Sequence, residues 1–233
     1  MNILAVSSHP DDVEIACAGT LAKCVKRGDK VIVAHVCNGD MGHVVIPPEE
    51  LREIRMNEAK KAGVLAGIEV VTVDVGDLLA NGCDMVQRDK IVTLIKETQP
   101  DLIITHSPTD YMPDHLAVQK LVFDASFAAS CPHYGENPAA AKVTPLFYMD
   151  NLAGMSFQPT EYVDISGEIE LKLQMLECHE SQLGWMRDHD HIDFADFVRT
   201  CSKFRGLQCG VDYAEGFTQA YVWPRMTTKR LLP

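Results

Sequence analysis

The 233-residue chain has no apolar run of the ~18–20 residues that a membrane-spanning helix requires, and no membrane span is expected. It also lacks basic excess. There are 21 Lys and Arg against 33 Asp and Glu, a formal charge of −12. That balance excludes a footprint for phosphate backbones, and nucleic acid is not an expected partner. No CxxC pair occurs among the eight cysteines. Buried free thiols in a reducing cytoplasm are the expectation. The N-terminus lacks a basic segment ahead of its apolar residues and reads as a first core strand, not a signal peptide. Repeats and low-complexity tracts are absent too. What remains is ordinary globular composition, 46% hydrophobic and 23% charged. One domain is the default at ~100–200 residues per domain.

Apolar runs alternate with helical patterns through the first two thirds. Strands are expected over residues 3–6, 31–36, 70–73, 102–105 and 146–149, and helices over 13–27, 48–66, 84–98 and 113–129. The strand runs do not alternate polar with apolar, which suits parallel strands covered on both faces. The expectation is an α/β, doubly wound, mainly parallel, Rossmann-like sheet of order 3-2-1-4-5. Residues 130–144, with Pro132, Gly135, Asn137 and Pro138, read as a long loop. Helices near 167–182 and 194–204, around a charged loop at 187–193, read as a helical C-terminal extension. Residues 1–233 are thus expected to form a single domain, with 1–150 the sheet core and 151–233 the extension.

In such a sheet, ligands bind beyond the carboxyl ends of the strands, where the strand order reverses. Two loops must line that crevice: Ser7-Ser8-His9-Pro10-Asp11-Asp12 after strand 1, and the stretch from His106 through Asp110, Tyr111 and Met112 to His115 after strand 4. Both are dense in His and Asp, and the first has no phosphate-cradling glycines. Two imidazoles and one carboxylate, from His9, Asp12 and His115, have the composition of an open zinc site, and the same set suits Fe(II). Asp11 beside it suits a general base acting on water. The bland alternative is an Asp-rich turn that caps a helix, with His115 an incidental first-turn residue.

His9-Pro10-Asp11-Asp12 with the distant Pro113-Asp114-His115 resembles the LmbE-like, or PIG-L, family of zinc-dependent de-N-acetylases. Asn38-Gly39-Asp40, Ile54-Arg55 with Glu58, His179-Glu180-Ser181-Gln182 and Tyr213-Ala214-Glu215 are similar to further family elements. The resemblance implies zinc held by His9, Asp12 and His115, with Asp11 as the base that later passes its proton to a leaving amine. It implies removal of an N-acetyl group from an amino sugar or glycoconjugate, and a homo-oligomer, trimer or hexamer. Arg55, Asp110, Tyr111 and Asn38 become the substrate-facing candidates; the alternative for Arg55 is a solvated helix arginine paired with Glu58. One position departs from the pattern. Met112 stands where the family usually has a histidine that stabilises the oxyanion, and His106 is the expected substitute. That departure motivates two alternatives: a zinc hydratase or lyase acting on a small unsaturated carboxylate, and an inactive module that binds metal or sugar.

Overall fold

The computed structural model describes residues 1–135 and 139–233. In chain order the elements are β1 (Asn2–Ser7), α1 (Asp12–Ala16), α2 (Ala18–Lys26), β2 (Lys30–Cys37), α3 (Pro48–Ala66), β3 (Glu69–Val75), α4 (Met85–Thr98), β4 (Leu102–Thr105), α5 (Pro113–Ala128) and β5 (Leu146–Met149). They are followed by β6 (Glu161–Asp164), α6 (Ile169–Glu177), α7 (Glu180–Asp188), α8 (Phe194–Cys209) and β7 (Ala214–Gln219). The strands form one sheet in the order β3-β2-β1-β4-β5-β7-β6. The first five are parallel, in the expected order.

Local chemistry explains most boundaries. Pro48 opens α3, Glu49 and Glu50 load its first turn, and Gly67 closes it in the left-handed region. Asp84 caps α4 by accepting from Gln87 N. β1 and β4 are buried on both faces because helices cover the sheet on each side. Leu21, Leu173 and Phe217 belong to the core on one face. Ile91, Ile95 and Leu121 belong to the core on the other.

The structure departs from the sequence reading in the tail and at two helix breaks. The tail is not only helical: β7 pairs antiparallel with β5 and with β6, extending the sheet by two strands. The single helix expected over 13–27 is two, separated at Cys17. The break has a tertiary cause. Glu215, from β7, accepts hydrogen bonds from Gly19 N at 2.9 Å and Thr20 N at 2.7 Å, the free amides that open α2. Lys172 of α6 donates to Ile15 O at 2.8 Å and to Glu215 at 2.6 Å. The helix expected over 167–182 likewise divides into α6 and α7, and α7 runs on through Asp188. Asn137 and Pro138, part of the expected loop, lie outside the described residues. The carboxyl ends of β1 and its neighbours β2 and β4 carry the loops that meet in the crevice.

Candidate active site

The turn after β1 is held by its own side chains. Asp12 reaches back to accept from His9 N at 2.6 Å. Asp11 takes a φ of 122°, a conformation costly for a non-glycine residue and paid for by its surroundings. Arg55 of α3 supplies the clamp. It donates to Asp11 Oδ2 at 3.0 Å, to Pro10 O and to Gly39 O at 3.3 Å. Gly39 has a φ of 80°, and a Cβ there would stand 2.6 Å from the Arg55 Cδ, so only glycine fits.

The loop after β4 is built around Asp110. Its Oδ1 accepts from Tyr111 N at 2.7 Å and Met112 N at 3.1 Å, and its Oδ2 meets His115 Nδ1 at 2.9 Å. A carboxylate at Nδ1 places a proton there, so on the neutral ring Nε2 keeps the lone pair. That Nε2 is buried, has no hydrogen-bond partner, and lies 3.3 Å from Asp12 Oδ1. His9 is oriented in a similar way. Asp114 Oδ2 meets His9 Nε2 at 3.1 Å and accepts from Leu78 N at 2.8 Å. His106 stacks on His115 with centroids 3.9 Å apart, and its own Nε2 accepts from Ser8 N at 2.8 Å.

These residues fit a metal. One donor atom each from His9, Asp12 and His115 lies within 4.8 Å of the others. The orphaned Nε2 of His115 and the imidazole–carboxylate donor set match a three-ligand site with open positions. Electrostatics agree. Burial works against charge on His9, but Asp114 and Asp12 outweigh it and raise its pKa to about 10. Burial opposes charge on His115 as well, yet Asp12 and Asp110 raise it to about 9. Asp12 is well below the usual carboxylate range because the three imidazoles outweigh its burial. Carboxylates that hold protons on imidazoles this firmly also favour a cation among them. Asp11 moves the other way, up to about 6, from burial and the charge of Asp12, against the pull of Arg55. The cluster opens into a cavity of ≈ 230 Å³.

Profile comparison matches residues 4–126 to the PIG-L family, GlcNAc-PI de-N-acetylase. The chain belongs to this family. Its PIG-L match spans β1 through most of α5, and so contains both loops of the cluster. The diacetylchitobiose deacetylase of Thermococcus kodakarensis is 27% identical over 220 residues, covering 92% of this chain and 81% of the relative. The N,N'-diacetylchitobiose deacetylase of Pyrococcus horikoshii, solved with an inhibitor, superposes with a TM-score of 0.81 at 25% identity, covering 93% of this chain and 82% of that one. The 4-carboxy-2-hydroxymuconate hydratase of Pseudomonas putida shares the fold, with a TM-score of 0.84 at 21% identity over 99% of this chain and 100% of that one.

Within this PIG-L scaffold the sequence-chosen residues sort into two groups. His9, Asp11, Asp12, Arg55, His106 and His115 all line the cavity. Arg55 is buried and paired with Asp11, not solvated beside Glu58, which instead accepts from Ser181 N and Oγ. Asp110, Tyr111 and Asn38 are not in the cavity wall. Asp110 spends its oxygens on His115 and the loop backbone. Tyr111 is exposed, its hydroxyl 3.5 Å from Leu152 O. Asn38 ties its turn to Asp74 and to Asp40 N. His106 departs from the charge expected of it: burial and the charge of His115 push its pKa down to about 4, and its Nε2 is already engaged by Ser8.

Three contributors were not assigned roles from sequence: Asp114, which orients His9, Asp77, and the pair Asp150-Asn151. Asp77 lines the cavity and organises the turn after β2 through Gly39 N and Met41 N. Asp150 and Asn151 reach the cavity from the end of β5. Their common signal was position: each follows a parallel strand at its carboxyl end. His189, within the expected charged loop, bonds Asp190 on the exposed surface and is not in the cavity wall.

Proposed function

We propose that this chain is a zinc-dependent hydrolase that removes an N-acetyl group from an amino sugar or glycoconjugate. The observation that carries the reading is the juxtaposition of the His9, Asp12 and His115 donors with Asp11 inside one cavity. Family membership and the activity of the two chitobiose deacetylases named above support it.

Zinc bound by His9, Asp12 and His115 would supply Lewis acidity, lowering the pKa of a water toward about 7 and polarising the acyl carbonyl. Asp114 and Asp110 hold the two imidazoles in the tautomers and orientations that ligation requires. Asp11 takes the proton of the attacking water and delivers it to the departing nitrogen. Arg55 keeps the Asp11 carboxylate aimed into the cavity. His106 acts through His115, as a neutral ring stacked behind it, and is a positioning residue in this scheme. Met112, at the cavity wall, contributes an apolar surface for the acyl group.

Lining charge favours this chemistry over hydration of an unsaturated dicarboxylate. Asp11, Asp12, Asp77 and Asp150 line the cavity, and its guanidinium, Arg55, is already paired with Asp11. Among the described residues of the wall, a substrate with two carboxylates would meet four aspartates and no unpaired guanidinium or ammonium.

Residues 1–233 are read as one domain, because β7 of the tail pairs with β5 of the core. The proposal extends to a homo-oligomer, supported by the exposed apolar residues Tyr221, Val222, Trp223 and Met226. It also extends to the cytoplasm, supported by eight unpaired cysteines.

The deciding experiment is metal analysis joined to release of acetate from N,N'-diacetylchitobiose. About one zinc per chain is expected, and His115→Ala should lose it. Asp11→Asn should keep the zinc and lose ~10²–10⁴ in turnover, the usual worth of a general base. Full activity in Asp11→Asn would remove the assigned base. A zinc-loaded parent chain inert toward N-acetyl sugars would remove the substrate class.

A further inference from the structure

The residues just past β5 bear on what the cavity selects. β5 lies beside β4 in the sheet, and β4 lies beside β1. Asp150 and Asn151 therefore sit one strand spacing, ~4.8 Å, from the edge position of β4, and two spacings, about 10 Å, from that of β1. The amide-cleaving groups stand at β1 and β4. Asp150 and Asn151 line the same cavity one strand further along.

Both residues present acceptors. Asp150 Oδ2 accepts from Arg205 Nε at 2.6 Å and Oδ1 from Asn151 N at 2.8 Å, which leaves further lone pairs on both oxygens. Asn151 is 6% exposed, and its Nδ2 donates to Met155 O at 2.6 Å. That bond fixes the amide plane and points the other end elsewhere. Its Oδ1 is buried and has no hydrogen-bond partner among the described residues. A buried amide oxygen left without a donor carries an unrepaid desolvation penalty, so a group that supplies one is selected. Around the pair the wall of this cavity is apolar, from Ile15, Ala16, Leu152 and Phe194, while Lys172, Ser202 and Arg205 line a smaller cavity that the pair also borders.

We infer that Asp150 and Asn151 form a hydroxyl-binding subsite that selects polyhydroxylated carriers of the amide over apolar ones. Two acceptors side by side repel carboxylate and phosphate. Arg205 already neutralises the Asp150 carboxylate, so the pull on an ammonium is weak, while a hydroxyl donates without bringing charge. The subsite rests on reading the cavity as one for an amide-bearing substrate.

The test measures binding apart from turnover. Zinc-loaded Asp11→Asn chain is titrated calorimetrically with N-acetylglucosamine and with N-acetylcyclohexylamine, which carries the same amide on a ring without hydroxyls. The sugar is expected to bind about 10-fold more tightly or better, the worth of one to two hydrogen bonds. Adding Asn151→Ala, or Asn151→Leu with its shape retained, should bring the two affinities within about 2-fold. Zinc content and the affinity for N-acetylcyclohexylamine should not move, whereas a structural role would change both. Equal binding of the two compounds to the parent, or a preference that survives both substitutions, overturns the subsite. Failure of the wild-type chain to release acetate from either compound would instead overturn the deacetylase reading, and the binding ratio would still decide the subsite.

Discussion

At the scale of single residues, the site depends on carboxylates that stand outside the cavity wall. Asp114 and Asp110 each spend an oxygen on one imidazole of the cluster. Asp114→Asn and Asp110→Asn are each expected to weaken zinc affinity ~10–100-fold with the fold intact. Competition with a chromogenic chelator measures this, and unchanged affinity would show that packing alone orients the rings. Met112 allows a second prediction. With His106 Nε2 engaged by Ser8 N and its ring stacked on His115, that ring is not placed to donate toward an oxyanion. Met112→His should raise turnover on N-acetyl sugars about 10-fold or more, against the ~10²–10³ that one oxyanion donor is worth. An unchanged kcat would show that the site already holds that donor elsewhere.

At the scale of elements, the decisive feature is the break between α1 and α2. α1 carries Asp12 on its first turn, so its direction sets where a candidate metal ligand points. That direction is enforced from the tail, by Glu215 on the amides of Gly19 and Thr20 and by Lys172 on Ile15 O. Lys172 and Glu215 are almost fully buried and 2.6 Å apart. Removing one partner of such a pair leaves an uncompensated buried charge, at a cost of about 3–5 kcal/mol. Lys172→Met should therefore lower stability in urea by about that amount and loosen zinc binding with it. Loss of stability with zinc affinity unchanged would separate the break from the site.

At the scale of the whole molecule, the parallel sheet sets out its groups strand by strand along one edge. β1 brings His9 and Asp12, β4 brings His106 and His115, and β5 brings Asp150 and Asn151. The opposite consequence of the fold is an uncovered apolar stretch after β7, where Trp223 is 90% exposed. Such a surface is costly in water and favours association. Sedimentation of the wild-type chain is expected to show a trimer or hexamer, and Trp223→Ser should shift it toward monomer. A monomeric wild type would leave that surface without the proposed role.

The five parallel strands and their order were legible in the sequence, because buried parallel strands read as continuous apolar runs between helical patterns. So was the His9, Asp11, Asp12 and His115 cluster, because topology alone brings the loops after β1 and β4 to one crevice. α3 matched residue for residue, since Pro48 and Gly67 are local signals that need no partner. Other features had no local signal. β7 is Ala-Glu-Gly-Phe-Thr-Gln, without the alternation or β-branched run that marks a strand, and forms because β5 and β6 offer it an edge on each side. The Cys17 break exists because a carboxylate 198 residues further along meets the amides of α2. The parts of His106 and Asp110 were hidden for the same reason: a sequence shows that a histidine or carboxylate is near a site, while only packing decides which of its atoms are already spent.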